Sequence, residues 1–292
     1  MKDKIEAAVT RIFALTRVPW VRRVAMVLAS VLFLGGFYIS AQEINGDVAV
    51  HSWPALALVC LVIVPALILL NGAEMKLAAA MVGVSIGFWR ALGISVQASA
   101  ANMLPLPAGP MLRVGAVMTR GASLARGSLS VLLPAFVWLA IGLLISAAAG
   151  YGVGAHKAAS ALLLLGAGVA VLVAIMAVRT GVEGKALSVL VVIKFVTGLL
   201  DALALYILFQ VIGVAASVLQ TGMLAASAPL GAAVAVVPGG LGVRELASSG
   251  LGVMAGLSAA SAFLVPSLLR LAFLLVLMPL ALVFALITPS ND

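Results

Sequence analysis

The apolar positions of this chain neither alternate nor follow one helical stripe. They run together in blocks about as long as a bilayer is thick. Six blocks stand out, at 24–41, 53–71, 127–150, 158–178, 186–214 and 260–288. A hydrocarbon core of about 30 Å takes about 20 helical residues, so each block predicts a membrane-spanning helix. Two more apolar stretches, 77–123 and 217–256, are interrupted by Pro and Gly and predict broken segments. The alternation that marks a transmembrane barrel is absent, which leaves an all-α polytopic membrane protein.

Composition strengthens that assignment. The 292 residues are 64% hydrophobic and 9% charged, with a mean hydropathy of +1.29. A water-soluble domain needs a charged coat, about 25% of its residues, and this chain cannot supply one. Cys60 is the single cysteine, so no intramolecular disulfide forms. His51 and His156 stand alone in predicted loops, which argues against a metal site. No nucleotide-binding motif occurs and no cofactor is implied.

The formal net charge of +8 is explained by where the basic residues lie. Lys2, Lys4, Arg11, Arg17, Arg22 and Arg23 precede the first span, whereas the loop after it carries Glu43 and Asp47. The positive-inside rule then puts the N-terminus in the cytoplasm. Following the spans places Lys76, Arg90, Arg113, Arg120, Arg126, Arg179 and Lys185 on that side too, with only Lys157 outside. The C-terminus is expected to be cytoplasmic as well. Nucleic acid is not needed to account for the charge. In the segment 1–23, Ile5, Val9, Ile12 and Phe13 share one helical face, as in a helix lying on the cytoplasmic leaflet with Trp20 at the interface.

Two short segments match. Pro107-Ala108-Gly109-Pro110-Met111-Leu112-Arg113 and Pro238-Gly239-Gly240-Leu241-Gly242-Val243-Arg244 both read Pro, Ala or Gly, Gly, two residues, Leu or Val, Arg. Their offset of 131 also carries the first three spans onto the last three. The chain is therefore read as two copies, 24–150 and 151–288, with a tail at 289–292. Each copy holds three transmembrane helices and a Pro/Gly-broken re-entrant helical hairpin. An odd number of crossings per copy makes them inverted-topology repeats, the plan of many transporters. Pro removes a backbone donor and Gly permits a tight reversal. The helix after each break presents free N–H groups to an anion, and Arg113 and Arg244 add a full positive charge there. The plainer reading is a packing hairpin whose arginine snorkels to the interface.

Charges inside the spans narrow the candidates. Lys194 and Asp201 are seven residues apart on one face of the fifth span, and Arg270 lies in the sixth. Asp201 and Arg270 fall at similar depth and are expected to pair. A charge near the bilayer centre costs about 2.5–3.5 kcal/mol on insertion scales, so such residues meet partners or line a path. Glu245 is expected to serve as the counter-ion of Arg244 or as a proton-responsive gate. Glu74 and Lys76 are expected at the cytoplasmic interface. Asn71, Gln97, Asn102 and Gln210 read as interhelical hydrogen-bonding residues.

The stretch Val237-Pro238-Gly239-Gly240-Leu241-Gly242-Val243-Arg244-Glu245, with Asn102-Met103-Leu104-Pro105 leading to Gly109 and Arg113, resembles the lysylphosphatidylglycerol synthase transmembrane (flippase-like) family. The chain looks like a stand-alone, YbhN-type bacterial member of that family. Pro110 stands where that family carries an acidic residue, so a carboxylate role at that position does not transfer. The resemblance implies a bacterial inner (cytoplasmic) membrane location and movement of an anionic or aminoacylated phospholipid between leaflets. It also implies a chain without the soluble synthase domain, and hence no lipid synthesis. The expected partners are membrane lipids through anionic phospholipid head groups, with self-association left open. The substrate-binding set is then Arg113, Arg244, Pro107, Gly109, Pro238, Gly239, Gly240, Glu245, Arg270, Asp201, Lys194 and Asn102, with no catalytic and no metal-binding residue. A secondary transporter of a small anionic solute and a non-transporting membrane scaffold remain alternatives. An enzyme is the weakest reading, because no His cluster, Ser–His set or metal-spaced carboxylates occur.

Overall fold

The structure, a computed structural model, describes residues 19–43, 53–102, 108–233 and 240–287. All regular elements in them are helical. In chain order they are α1 (Pro19–Glu43), α2 (Trp53–Met81), α3 (Phe88–Ala101), α4 (Ala108–Met118), α5 (Leu124–Gly152), α6 (His156–Thr180), α7 (Gly184–Val211), α8 (Val218–Met223), α9 (Ser227–Ala233), α10 (Val243–Met254) and α11 (Ala259–Ile287). A 3-10 turn, Leu224–Ala226, joins α8 to α9. The amphipathic reading of 1–23 falls almost wholly outside the described residues, as does the tail.

Among the described residues, five helices are long and apolar enough to cross a membrane: α2, α5, α6, α7 and the segment Ala259–Leu286 of α11. The helix α1 contains the predicted first span. Large apolar side chains such as Leu61, Leu164, Val178, Leu275 and Leu286 point outward. In water that surface would drive aggregation, whereas hydrocarbon is its natural solvent.

The second span is longer than its apolar block. It continues past Asn71 to Met81 and takes in Glu74 and Lys76. Polar residues dilute the local hydropathy there, but a buried ion pair lets the helix run on. Within α2 the backbone widens to π-helix at Val59–Ile63, just before Pro65. Proline lacks the donor for the preceding turn, and a π-bulge takes up the mismatch. The helix α6 ends on Gly181 at φ +70°, a left-handed position that costs glycine little, and Val182 N–H then caps the Ala177 carbonyl at 3.0 Å.

Small residues set how closely the helices pack. Gly150 of α5 lies against Ala159 of α6, Gly72 of α2 against Leu92 of α3, and Gly142 of α5 against Pro229 of α9. The packing has a repeated form. α5 runs along α6, as α11 runs along α1; α3 touches α11, as α8 touches α5. α2 and α7 contact each other at the centre. Ala80 and Met81 at the end of α2 line one cavity with Ala186 at the start of α7, while Val59 shares a core with Leu208 and Phe209. These two helices are therefore antiparallel.

Candidate functional site

Among the described residues, seven charged side chains are drawn into the helical interior, and they form two groups. In the first, Glu74 of α2 is buried and accepts from two cations: Lys194 Nζ of α7 at 2.5 Å and Arg113 Nη1 of α4 at 3.4 Å. Lys194 also lies 5.1 Å from the centre of the Trp138 ring, a cation–π contact. In the second, Arg244 Nη2 of α10 reaches both oxygens of Asp201 on α7 at 3.3 Å. Beside it, Arg270 Nε of α11 donates to Glu245 at 2.9 Å and Arg270 Nη2 to the Gly240 carbonyl at 3.4 Å. The Phe33 ring of α1 faces Arg270.

Two expectations from the sequence are corrected here. Asp201 does not pair with Arg270, and Glu245 is not the counter-ion of Arg244; the partners are exchanged. Successive helical side chains point about 100° apart, so Arg244 and Glu245 cannot face one partner set. Glu245 instead accepts from the Gly242 amide at 2.8 Å, which closes the first turn of α10 and aims its other oxygen at Arg270. Glu74, expected at the cytoplasmic interface with Lys76, is buried among the helices, whereas Lys76 is exposed.

Of the motif residues, Pro107, Pro238 and Gly239 lie outside the described residues. Gly109 and Pro110 are not in a turn: both belong to the first turn of α4, where proline's missing N–H costs nothing. Gly109 is buried against Asn102, the C-cap of α3, so closely that any side chain at 109 would strike the Asn102 amide oxygen. Gly240, at φ +64°, packs on the Gly231 backbone. Asn102 and Gly109 thus hold the first hairpin closed, as Gly240 and Gly231 hold the second. Gln210 caps locally, giving its amide hydrogen to the Ala216 carbonyl rather than to another helix.

The cations differ in openness. Side-chain exposure is 20% for Arg113 and 17% for Arg244, against 6% for Lys194 and 8% for Arg270. The open pair are the motif arginines: Arg113 is held by one contact of 3.4 Å to Glu74 of α2, and Arg244 by two of 3.3 Å to Asp201 of α7. Glu74 is about two turns from the end of α2 that adjoins the start of α7, and Asp201 is about three turns from the opposite end of α7. The two pairs therefore sit toward opposite ends of the antiparallel helices. Four cations face three carboxylates, an excess of one positive charge. A cavity of about 380 Å³ between the ends of α2, α5, α6 and α7 is lined by Arg126 and Glu183, and none of the seven charges opens into it.

No family model matches the chain, and no curated protein does either. The site is therefore read from its own chemistry.

Sequence reasoning missed Glu74. Its signal was one helical turn away: the offset of 131 carries Glu74 to Leu205, four residues from Asp201 and on the same face of α7. Trp138 and Phe33 carried no signal, because an aromatic residue in an apolar span reads as core.

Proposed function

We propose that this chain is an integral membrane lipid transporter that moves an anionic phospholipid between leaflets by binding its phosphate head group. One observation carries the reading: of the four cations in the two charge groups, the two motif arginines are the partly exposed ones, and each is held by a single carboxylate at 3.3–3.4 Å. Arg113 and Arg244 are then the groups an incoming phosphate engages, since the guanidinium fork suits phosphate oxygens. Lys194, sealed against Glu74, keeps that carboxylate from collapsing fully onto Arg113, while Arg270 holds Glu245 apart from the Arg244–Asp201 pair.

The reading includes an inverted repeat. It is supported by the shared offset, by the matched packing of α5 on α6 and α11 on α1, and by the opposite placement of the two arginine–carboxylate pairs. Each hairpin packs against the long last helix of the other half. Rocking one half against the other would expose Arg113 toward one leaflet and Arg244 toward the other, the alternating access such repeats perform. The excess positive charge is neutralised when one anionic group is bound. The resemblance to the flippase-like family supports the lipid as cargo, with a bacterial inner-membrane location. No step of bond making is required, and the chain is proposed to be a carrier rather than an enzyme.

The test is transbilayer movement of a head-group-labelled anionic phospholipid in liposomes. Faster exchange with the protein than in empty vesicles is expected, and equal rates would overturn the proposal. Movement of a soluble organic anion with no lipid movement would favour the solute carrier instead.

A further inference from the structure

The second hairpin carries three buried polar atoms with no hydrogen-bond partner among the described residues: Ser227 Oγ, Ser248 Oγ and Arg244 Nε. They are not scattered. Gln220 of α8 gives its side-chain amide hydrogen to the Ala255 carbonyl at the end of α10, at 3.0 Å, and eleven residues on, Gly231 of α9 lies against Arg244, eleven residues before Ala255. The arms are antiparallel and advance in step, so Ser227 falls level with Ser248. Arg244 precedes Ser248 by four residues, one turn away on the same face of α10. The two hydroxyls and the Nε–H therefore share the seam between the arms.

Buried helical hydroxyls usually turn back to a carbonyl of the preceding turn. Ser267 does so to Phe263, Thr221 to Val218 and Ser130 to Gly127. Ser227 and Ser248 do not, though both residues are fully buried. Orphaned buried donors are costly and rare, and a set of them in one place marks a missing partner. All three can donate, and Nε–H can only donate. The partner that satisfies three donors beside a guanidinium is an oxyanion. Arg244 keeps Asp201 through Nη2 alone, and its Nε–H is left without a partner. The first half has no such set: the offset of 131 carries Ser227 to Val96 and Ser248 to Val117, both buried.

We infer that Ser227, Ser248 and Arg244 Nε form an oxyanion-binding site in the second hairpin, taking a phosphate oxygen, and that the first hairpin, with valines in both places, lacks it. This deepens the proposed function and rests on it for the choice of phosphate. The two halves are then unequal: one holds the phosphate by charge alone, the other by charge and three directed donors.

The full-length protein in neutral detergent is titrated with inorganic phosphate and, in parallel, with short-chain phosphatidylglycerol, and binding is read from the unfolding midpoint. The expected result is saturable stabilisation by at least one probe, with affinity about tenfold or more weaker in Ser227→Ala/Ser248→Ala, since hydrogen bonds to charged groups are worth that much. The variant's own midpoint without ligand is expected to stay level or rise, because orphaned hydroxyls have been removed. Stabilisation by inorganic phosphate names the free ion as sufficient, and stabilisation by the lipid alone names the head group. Wild-type affinity in the double variant, or no binding of either probe to the wild type, overturns the inference. Should the double variant not fold, Ser227→Ala and Ser248→Ala are tested singly, each removing one donor and leaving Arg244 intact; weaker binding in either supports the site, and unchanged affinity in both overturns it. The two proposals fail separately. Serine-dependent binding in a protein that moves no lipid sinks transport alone, and lipid movement with serine-independent binding sinks this site alone.

Discussion

Arg270 donates to Glu245 at 2.9 Å from a different helix, while Arg244, the residue next to Glu245 in the chain, turns away to Asp201. This exchange separates a sealed ion pair from an open one on the same turn of α10. Glu245 is fully buried and anchors α10 to α11; Arg244 is left with its long contact and a partly exposed guanidinium.

Glu245→Gln is expected to destabilise the protein by about 3–5 kcal/mol, because breaking one side of a buried pair strands the other charge. The midpoint of unfolding in detergent measures it. Replacing both partners with Glu245→Gln/Arg270→Met is expected to recover a good part of the loss. A double variant no better than the single would argue against the pair.

Lys194→Met leaves Glu74 with Arg113 as its only cation. The carboxylate then holds Arg113 more tightly, and transport of an anionic lipid is expected to slow about tenfold, which corresponds to about 1.4 kcal/mol. Rates in liposomes decide this, normalised to the amount of folded protein. An unchanged rate would remove Lys194 from the account.

Close packing predicts a contrast between two glycines. A methyl at Gly252 would collide with the Ala262 side chain, whereas a methyl at Gly168 meets nothing within 4 Å. Gly252→Ala is expected to cost about 1–3 kcal/mol through overpacking of α10 on α11. Gly168→Ala is expected to be neutral or slightly stabilising. Paired thermal melts compare them.

Much of this architecture was legible from the chain. The apolar blocks fall within or closely overlap the long helices, since 20 apolar residues have few other uses. The broken stretches did become short helices. What stayed hidden was pairing. Depth along a span suggested Asp201 with Arg270, but a partner is chosen by the helix face as well as by depth, and the face α10 turns to α11 is the one on which Gly252 packs against Ala262. Glu74 looked interfacial for the same reason: hydropathy counts a charge as a cost, and only Lys194, 120 residues on, shows that the cost is met. Ser227 and Ser248 resembled ordinary small packing residues until the facing arm was in place.

The proposed inverted repeat predicts opposite sidedness for the two hairpins. In a Cys60→Ser background, single cysteines at Thr119 and at Met254, both exposed near hairpin ends, are expected to react with an impermeant reagent from opposite faces of sealed vesicles. Labelling of both from one face would contradict the repeat.

The central claim is that the two half-open arginines carry the head group, and transbilayer exchange of labelled anionic phospholipid tests it most directly. Arg113→Ala and Arg244→Ala are each expected to slow the protein-dependent rate by about tenfold or more, as expected for losing a charge-assisted contact. Arg179→Ala, at an exposed helix end, is expected to leave the rate unchanged. Wild-type exchange in both motif variants would contradict the account.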